Sequence, residues 1–145
     1  MSRRALLLGG GAALVAAGCG KDEVTEPPPA TQVMLRELTA ERALAHDLQN
    51  EQGFPGQISD RAGARADKLA SAISSLGGDP DEAPEGTGSP SDAATHAKAA
   101  LEAHVAALPS LTGDLRTMGT DFVAEAAADA ALLAGPGGAF PGTPA

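Results

Sequence analysis

The sequence predicts an all-α fold, a four-helix bundle, and three observations carry that prediction. Apolar residues recur every three to four positions through four separate stretches of the 145-residue chain, the spacing that places them on one face of a helix. Aromatic residues are only 2% of the chain, with no Trp or Tyr, so the core has to be built from Ala, Leu, Val and a few Met and Phe. Small side chains of that kind suit closely packed helices. Alternating β-branched runs, which would mark strands, are missing from the sequence.

Residues 1–18 read as an export signal, with Arg3 and Arg4 at the start, a short apolar run, and small residues before Cys19. The run over 5–17 is shorter than the roughly 20 residues needed to span a bilayer. Cys19 is the single cysteine, so no intrachain disulfide can form. Val15-Ala16-Ala17-Gly18-Cys19 resembles a bacterial lipobox, with Ala16 where Leu is more usual. That resemblance implies that Cys19 is diacylated, becomes the mature N-terminus and ties the chain to the cell membrane on its extracytoplasmic face. Ser2-Arg3-Arg4-Ala5-Leu6-Leu7 also resembles a twin-arginine export signal, and the general secretory route stays open beside it. An ordinary cleaved signal is the other arrangement these residues allow. Residues 19–30 carry three consecutive prolines among charged residues and read as a semi-rigid spacer holding a domain off the membrane.

The spacing predicts helix one over 31–50, stopped by Gly53, Pro55 and Gly56, with Met34, Leu38, Ala45 and Leu48 as its apolar stripe. Helix two is expected over 57–76 and ends at Gly77-Gly78, because glycine adopts the left-handed cap conformation cheaply. Helix three is expected over 91–108, with Ala94, Ala97, Leu101, Val105 and Leu108 aligned. Helix four is expected over 113–134, behind Thr112 as N-cap, with Leu115, Met118, Phe122, Ala126, Ala130 and Leu133 aligned. The domain so defined covers 31–134, and 135–145 is a Gly- and Pro-rich tail in which Phe140 is placed to dock back on the bundle. Short connections make one-two and three-four antiparallel hairpins. The acidic link over 77–90 is long: about fourteen residues reach roughly 45 Å when extended, and a twenty-residue helix is only ~30 Å long. It is expected to cross the length of the bundle and start helix three parallel to helix two; a loop between adjacent helices is the alternative.

Three ionisable residues fall on the apolar stripes. Glu41 lies between Leu38 and Leu44, Arg65 between Ala62 and Leu69, and Asp129 between Ala126 and Leu133. A charge on a face that a helix buries is costly unless it is paired, protonated or bound to metal.

Leu38-Thr39-Ala40-Glu41, the run from Lys68 through Gly77-Gly78-Asp79-Pro80, Ala106-Ala107-Leu108-Pro109-Ser110-Leu111 and Ala139-Phe140 carry a resemblance to the ferritin-like superfamily. It is similar in particular to the small ferritin-like domains of bacterial envelope lipoproteins. In metal-binding members, a Glu from each of two helices and a Glu-x-x-His from each of the other two surround two metals. The resemblance places Glu41 at the first-helix Glu, Ala62 and Arg65 at the second-helix pair, Ala97 or Lys98 at the third-helix Glu, and Ala126 and Asp129 at the fourth-helix pair. Glu125 falls one residue off that register. One clear ligand of six remains, and an arginine, always protonated, repels cations. Glu41, Arg65 and Asp129 are therefore expected to form a charge cluster in place of a di-metal centre.

His104, on or beside the inner stripe of helix three, is placed to hydrogen-bond that cluster. His46 and His96 are expected at the surface. If a metal is retained, iron or manganese, the expected ligands are Glu41, His104 and Asp129. The formal net charge of -9 and the lack of a basic stripe argue against nucleic acid. No nucleophile–base pattern and no phosphate-binding glycine motif occurs, so no catalytic residue is assigned and no cofactor is expected. The reading is a membrane-anchored, non-catalytic helical bundle with a structural or binding role in the cell envelope. Its alternatives are a metal-binding protein with a reduced site around Glu41, and a small-ligand binder with a cavity near Ala62, Ala97 and Ala126. Ferritin-like bundles often associate through helix faces, so the resemblance also admits a homo-oligomer.

Overall fold

A computed structural model describes residues 29–135. The export signal, Cys19, most of the spacer and the tail with Phe140 lie outside the described residues. Those described form four helices and no strands: α1 (Ala30–Leu48), α2 (Phe54–Ser75), α3 (Ala93–Ala107) and α4 (Gly113–Ala134). None of these helices is long and apolar enough to cross a membrane.

Pro29 precedes the first turn of α1, where a missing N–H costs nothing, and its carbonyl accepts from Gln32 and Val33. The buried face of α1 runs through Val33, Met34, Leu38, Leu44 and Leu48. Leu44 is inside and the expected Ala45 only half-buried. The face also carries Glu37, Glu41 and Asp47, so it holds three acids where one was expected.

α2 begins three residues earlier than its spacing predicts. Pro55 was expected to break the chain; instead it sits in the first helical turn, where its fixed φ favours the helix. Gly56 is required there, because a Cβ would lie 2.6 Å from the Glu51 carbonyl oxygen. At the other end Gly77 takes φ +79 and the Gly78 N–H bonds back to the Ile73 carbonyl at 3.0 Å, closing the helix as a Schellman cap.

The link that follows lies against α1. Gly78 meets Thr31, and Arg42 donates to the carbonyls of Pro80 and Ala83. Further on, Gly86 abuts Arg42 and His46, and Gly88 abuts Asp47. The link contains two 3₁₀ turns, Pro80–Glu82 and Pro90–Asp92, and Ser89 caps the second through Asp92.

α3 is shorter than expected and rotated. Ala93, Ala97, Ala100, His104 and Ala107 face inward, whereas Ala94 and Val105 are exposed and Leu101 is half-buried. Alanines let α3 approach its neighbours closely, and His104 is admitted inside because carboxylates of α1 meet it. Leu108–Ser110 forms a 3₁₀ turn into α4. Gly119 there leaves room for Leu111, whose Cδ1 would stand 2.8 Å from an added Cβ. Thr112 occupies the N-cap position in extended conformation, without the side-chain hydrogen bond expected of it.

Contacts across the core pair the helices antiparallel. Glu41 meets Arg65 and the Ser59 hydroxyl donates to the Ala45 carbonyl, so α2 descends as α1 rises. Glu37 meets His104 and Asp47 meets His96, which does the same for α1 and α3. Arg61 meets Asp129 and Lys68 lies over Phe122, joining α2 to α4. The apolar core falls into two clusters. One holds Met34, Leu38, Leu69, Ile73, Leu111 and Phe122; the other holds Leu44, Leu48, Ile58, Ala62, Ala93 and Ala97. The interior charges lie between them.

Candidate functional site: a charged layer across four helices

Each helix contributes a buried residue to this layer, α3 through His104 in its last turn. Arg65 on α2 is 1% exposed and is its centre. Its Nε donates to Glu41 Oε1 at 2.8 Å, and Nη2 donates both to Glu41 Oε2 at 3.0 Å and to Asp129 Oδ2 at 3.0 Å. The planar fork of guanidinium matches both oxygens of one carboxylate and still leaves donors for a second. The remaining Nη1 reaches Glu125 Oε2 on the rim at 3.4 Å. The structure thus brings Glu41, Arg65 and Asp129 together.

It also brings in two residues that the sequence stripes missed, Arg61 and Glu37, and buries a third, Asp47, in a separate pair. Arg61, one turn before Arg65, donates through Nε to Asp129 Oδ1 at 3.0 Å and through Nη2 at 2.5 Å. Glu37, one turn before Glu41, meets His104 Nδ1 through Oε1 at 2.7 Å, while His104 Nε2 meets Glu41 Oε1 at 2.5 Å. Asp47 is buried and meets His96 Nδ1 through Oδ2 at 2.5 Å. The available signal was the i, i+4 spacing: Glu37 repeats Glu41, and Arg61 repeats Arg65, on the same helix face. His96, expected in solvent, is half-buried with a side chain 28% exposed. His46, also expected at the surface, is half-buried under the link, beside Gly86.

The electrostatics follow from this packing. Burial works against charge on His104, but the hydrogen bonds and charges of Glu37 and Glu41 outweigh it and hold the imidazole pKa above its ordinary value. Burial pushes the Glu37 carboxyl up; the hydrogen bond and charge of His104 pull it down by less, and the neighbouring Glu41 charge adds to the rise. Both directions describe one physical fact, that the Glu37–His104 pair holds on to a proton. Arg65 likewise loses from burial and gains more from Glu41 and Asp129, so it stays charged.

This donor set does not fit the paired metals that the family resemblance implies. Both oxygens of Glu41 are taken, Oε1 by Arg65 and His104 and Oε2 by Arg65. Both oxygens of Asp129 are taken by Arg61 and Arg65. A guanidinium stands between the two carboxylates that a cation would need. Ala62, Ala97 and Ala126 are buried but offer no donor, and Lys98 points outward to Glu102 at 3.7 Å. Among the described residues no group of three His, Cys, Asp or Glu side chains is arranged to hold a metal ion. The expected trio Glu41, His104 and Asp129 is divided by Arg65.

Ala62 and Ala97 pack in the second apolar cluster. Two shallow surface grooves, one along Lys68, Phe122 and Glu125 and one along Arg42, His46 and Gly63, are not lined by Ala62, Ala97 or Ala126. Searches of protein-family models, curated proteins and solved structures return no match to this chain.

Proposed function

We propose that this chain is a lipid-anchored, non-catalytic bundle of ferritin-like type, in which a charge network replaces paired metals. In this reading Cys19 carries the lipid, the proline-rich segment spaces the domain from the membrane, and the bundle serves a structural or binding role on the extracytoplasmic face. The observation that carries it is the complete engagement of Glu41 and Asp129 by Arg65, Arg61 and His104. A binding role needs a fixed surface more than a reactive centre, and buried ionic networks are best attested as devices that specify one register.

Support for ferritin-like connectivity comes from the link, whose contacts run along α1 from Thr31 through Arg42 to Asp47. A chain that climbs the side of α1 in this way starts α3 beside the α1 C-terminus. The long crossover between helices two and three is part of the proposal on that ground.

Two experiments test the reading. The purified protein, loaded anaerobically with Fe(II) or Mn(II) and desalted, is expected to retain no stoichiometric metal. Retained metal that disappears in Glu41→Ala would overturn the non-metal reading. Cys19→Ala is expected to move the protein from the membrane fraction to the soluble fraction; unchanged membrane association would remove the lipid anchor.

A further inference from the structure

We propose that the bundle is closed by a proton held on His104 between Glu37 and Glu41, and that removing this proton releases α3 from α1. The inference rests on the reading of the core as a charge lock. It is carried by the two contacts of the imidazole. Nδ1 lies 2.7 Å from Glu37 Oε1 and Nε2 lies 2.5 Å from Glu41 Oε1. A neutral imidazole has one N–H and one lone pair. In that form one nitrogen lone pair faces a carboxyl oxygen across one of these distances, and the contact is kept only if that carboxyl carries the proton instead. Both contacts are filled when the imidazole carries two N–H groups, one toward Glu37 Oε1 and one toward Glu41 Oε1.

The groups around His104 account for the charge. From α1 come Glu37 and Glu41. From α2, Arg65 shares Glu41 Oε1 with the imidazole, and Arg61 lies one turn further along. From α4, Asp129 lies across Arg65, Glu125 stands at the rim, and the Phe122 ring centroid is 5.4 Å from that of His104. α3 adds no other buried charge. With His104 protonated, the carboxylates of Glu37, Glu41 and Asp129 are matched by His104, Arg65 and Arg61. Without that proton a negative charge is left inside, at Glu37, whose Oε2 has no hydrogen-bond partner among the described residues. An uncompensated buried charge is among the costliest features of a core.

Release falls on α3 because its other inward residues are alanines, which bury little area each. α1 and α2 remain joined through the two hydrogen bonds of Arg65 to Glu41, one of them to Oε2, which His104 does not touch.

The test is a pH series on the full chain, 15N-labelled, reading the imidazole ring nitrogens and the backbone amide exchange together. Near-neutral samples are expected to show protons on both His104 nitrogens. As pH rises and one is lost, exchange in α3 is expected to rise about tenfold relative to α2, beyond the intrinsic base-catalysed increase. Glu37→Gln is expected to move proton loss to lower pH by about one unit or more, since one of the two carboxylates is gone. A single N–H on His104 at neutral pH in the wild type overturns the proposal, as does proton loss that leaves α3 exchange in step with α2. Should Glu37→Gln fail to fold, those two wild-type readings decide alone. Glu41-dependent metal retention would sink the charge-lock reading, whereas a singly protonated His104 in metal-free protein would sink this inference by itself.

Discussion

Arg65 is the residue on which the interior charges converge, and its removal should cost as much as that of a core leucine. Arg65→Met leaves buried Glu41 without its guanidinium and Asp129 with Arg61 alone, and breaking a buried pair from one side costs about 3–5 kcal/mol. The expected outcome is a lowered urea midpoint; an unchanged midpoint would mean that the guanidinium contributes nothing to stability. The pH dependence has a definite sign. His104 and Glu37 both have raised pKa values, so the folded state holds protons that the unfolded chain gives up. The stabilisation from His104 is complete below the unfolded imidazole pKa, about 6.5, and is lost as pH rises through the folded value. Raising pH from about 6 toward 9 should therefore lower Tm, and Glu37→Gln should flatten that slope.

At the scale of elements, glycines separate two kinds of constraint. Gly63 lies inside α2 with nothing within 4 Å of an added Cβ. Gly63→Ala should stabilise the helix by about 0.5–1 kcal/mol through reduced freedom of the unfolded chain, visible as a higher Tm. Gly86 is the opposite case, because a Cβ there would overlap the Arg42 carbonyl and the His46 Cβ. Gly86→Ala should lift the link from α1, costing about 1–3 kcal/mol and exposing residues 79–92 to proteolysis. The link also shows why its course was open in the sequence. Its length set an upper bound on reach, but the attachments are backbone carbonyls and glycine contacts, which leave no pattern of side-chain types.

Across the whole molecule, the charged layer divides the apolar core into two clusters joined by continuous helices. Leu69 belongs to one and Ile58 to the other, both fully buried. Leu69→Ala and Ile58→Ala should each cost about 2–5 kcal/mol. Eleven residues of helix separate them by ~16 Å, and the double mutant should be additive within about 0.5 kcal/mol. A larger deviation in denaturant unfolding would show that the charged layer transmits strain between the clusters.

The sequence by itself determined the helical class, the four stretches and the presence of ionisable residues on inward stripes, because periodicity and composition act locally. It placed Glu41, Arg65 and Asp129 on those stripes for the same reason. Only the tertiary structure decided that α3 turns its alanines inward, that Glu37 and Arg61 join the interior charges, and that Asp47 is buried against His96. Each of these depends on what stands opposite. An acid is tolerated inside when a histidine or arginine from another helix meets it, and a bulky residue stays outside when close helix approach favours alanine. The spacing of one helix carries no record of its neighbour, so the partners of Glu41 could be listed by type from the chain but joined only in the folded core.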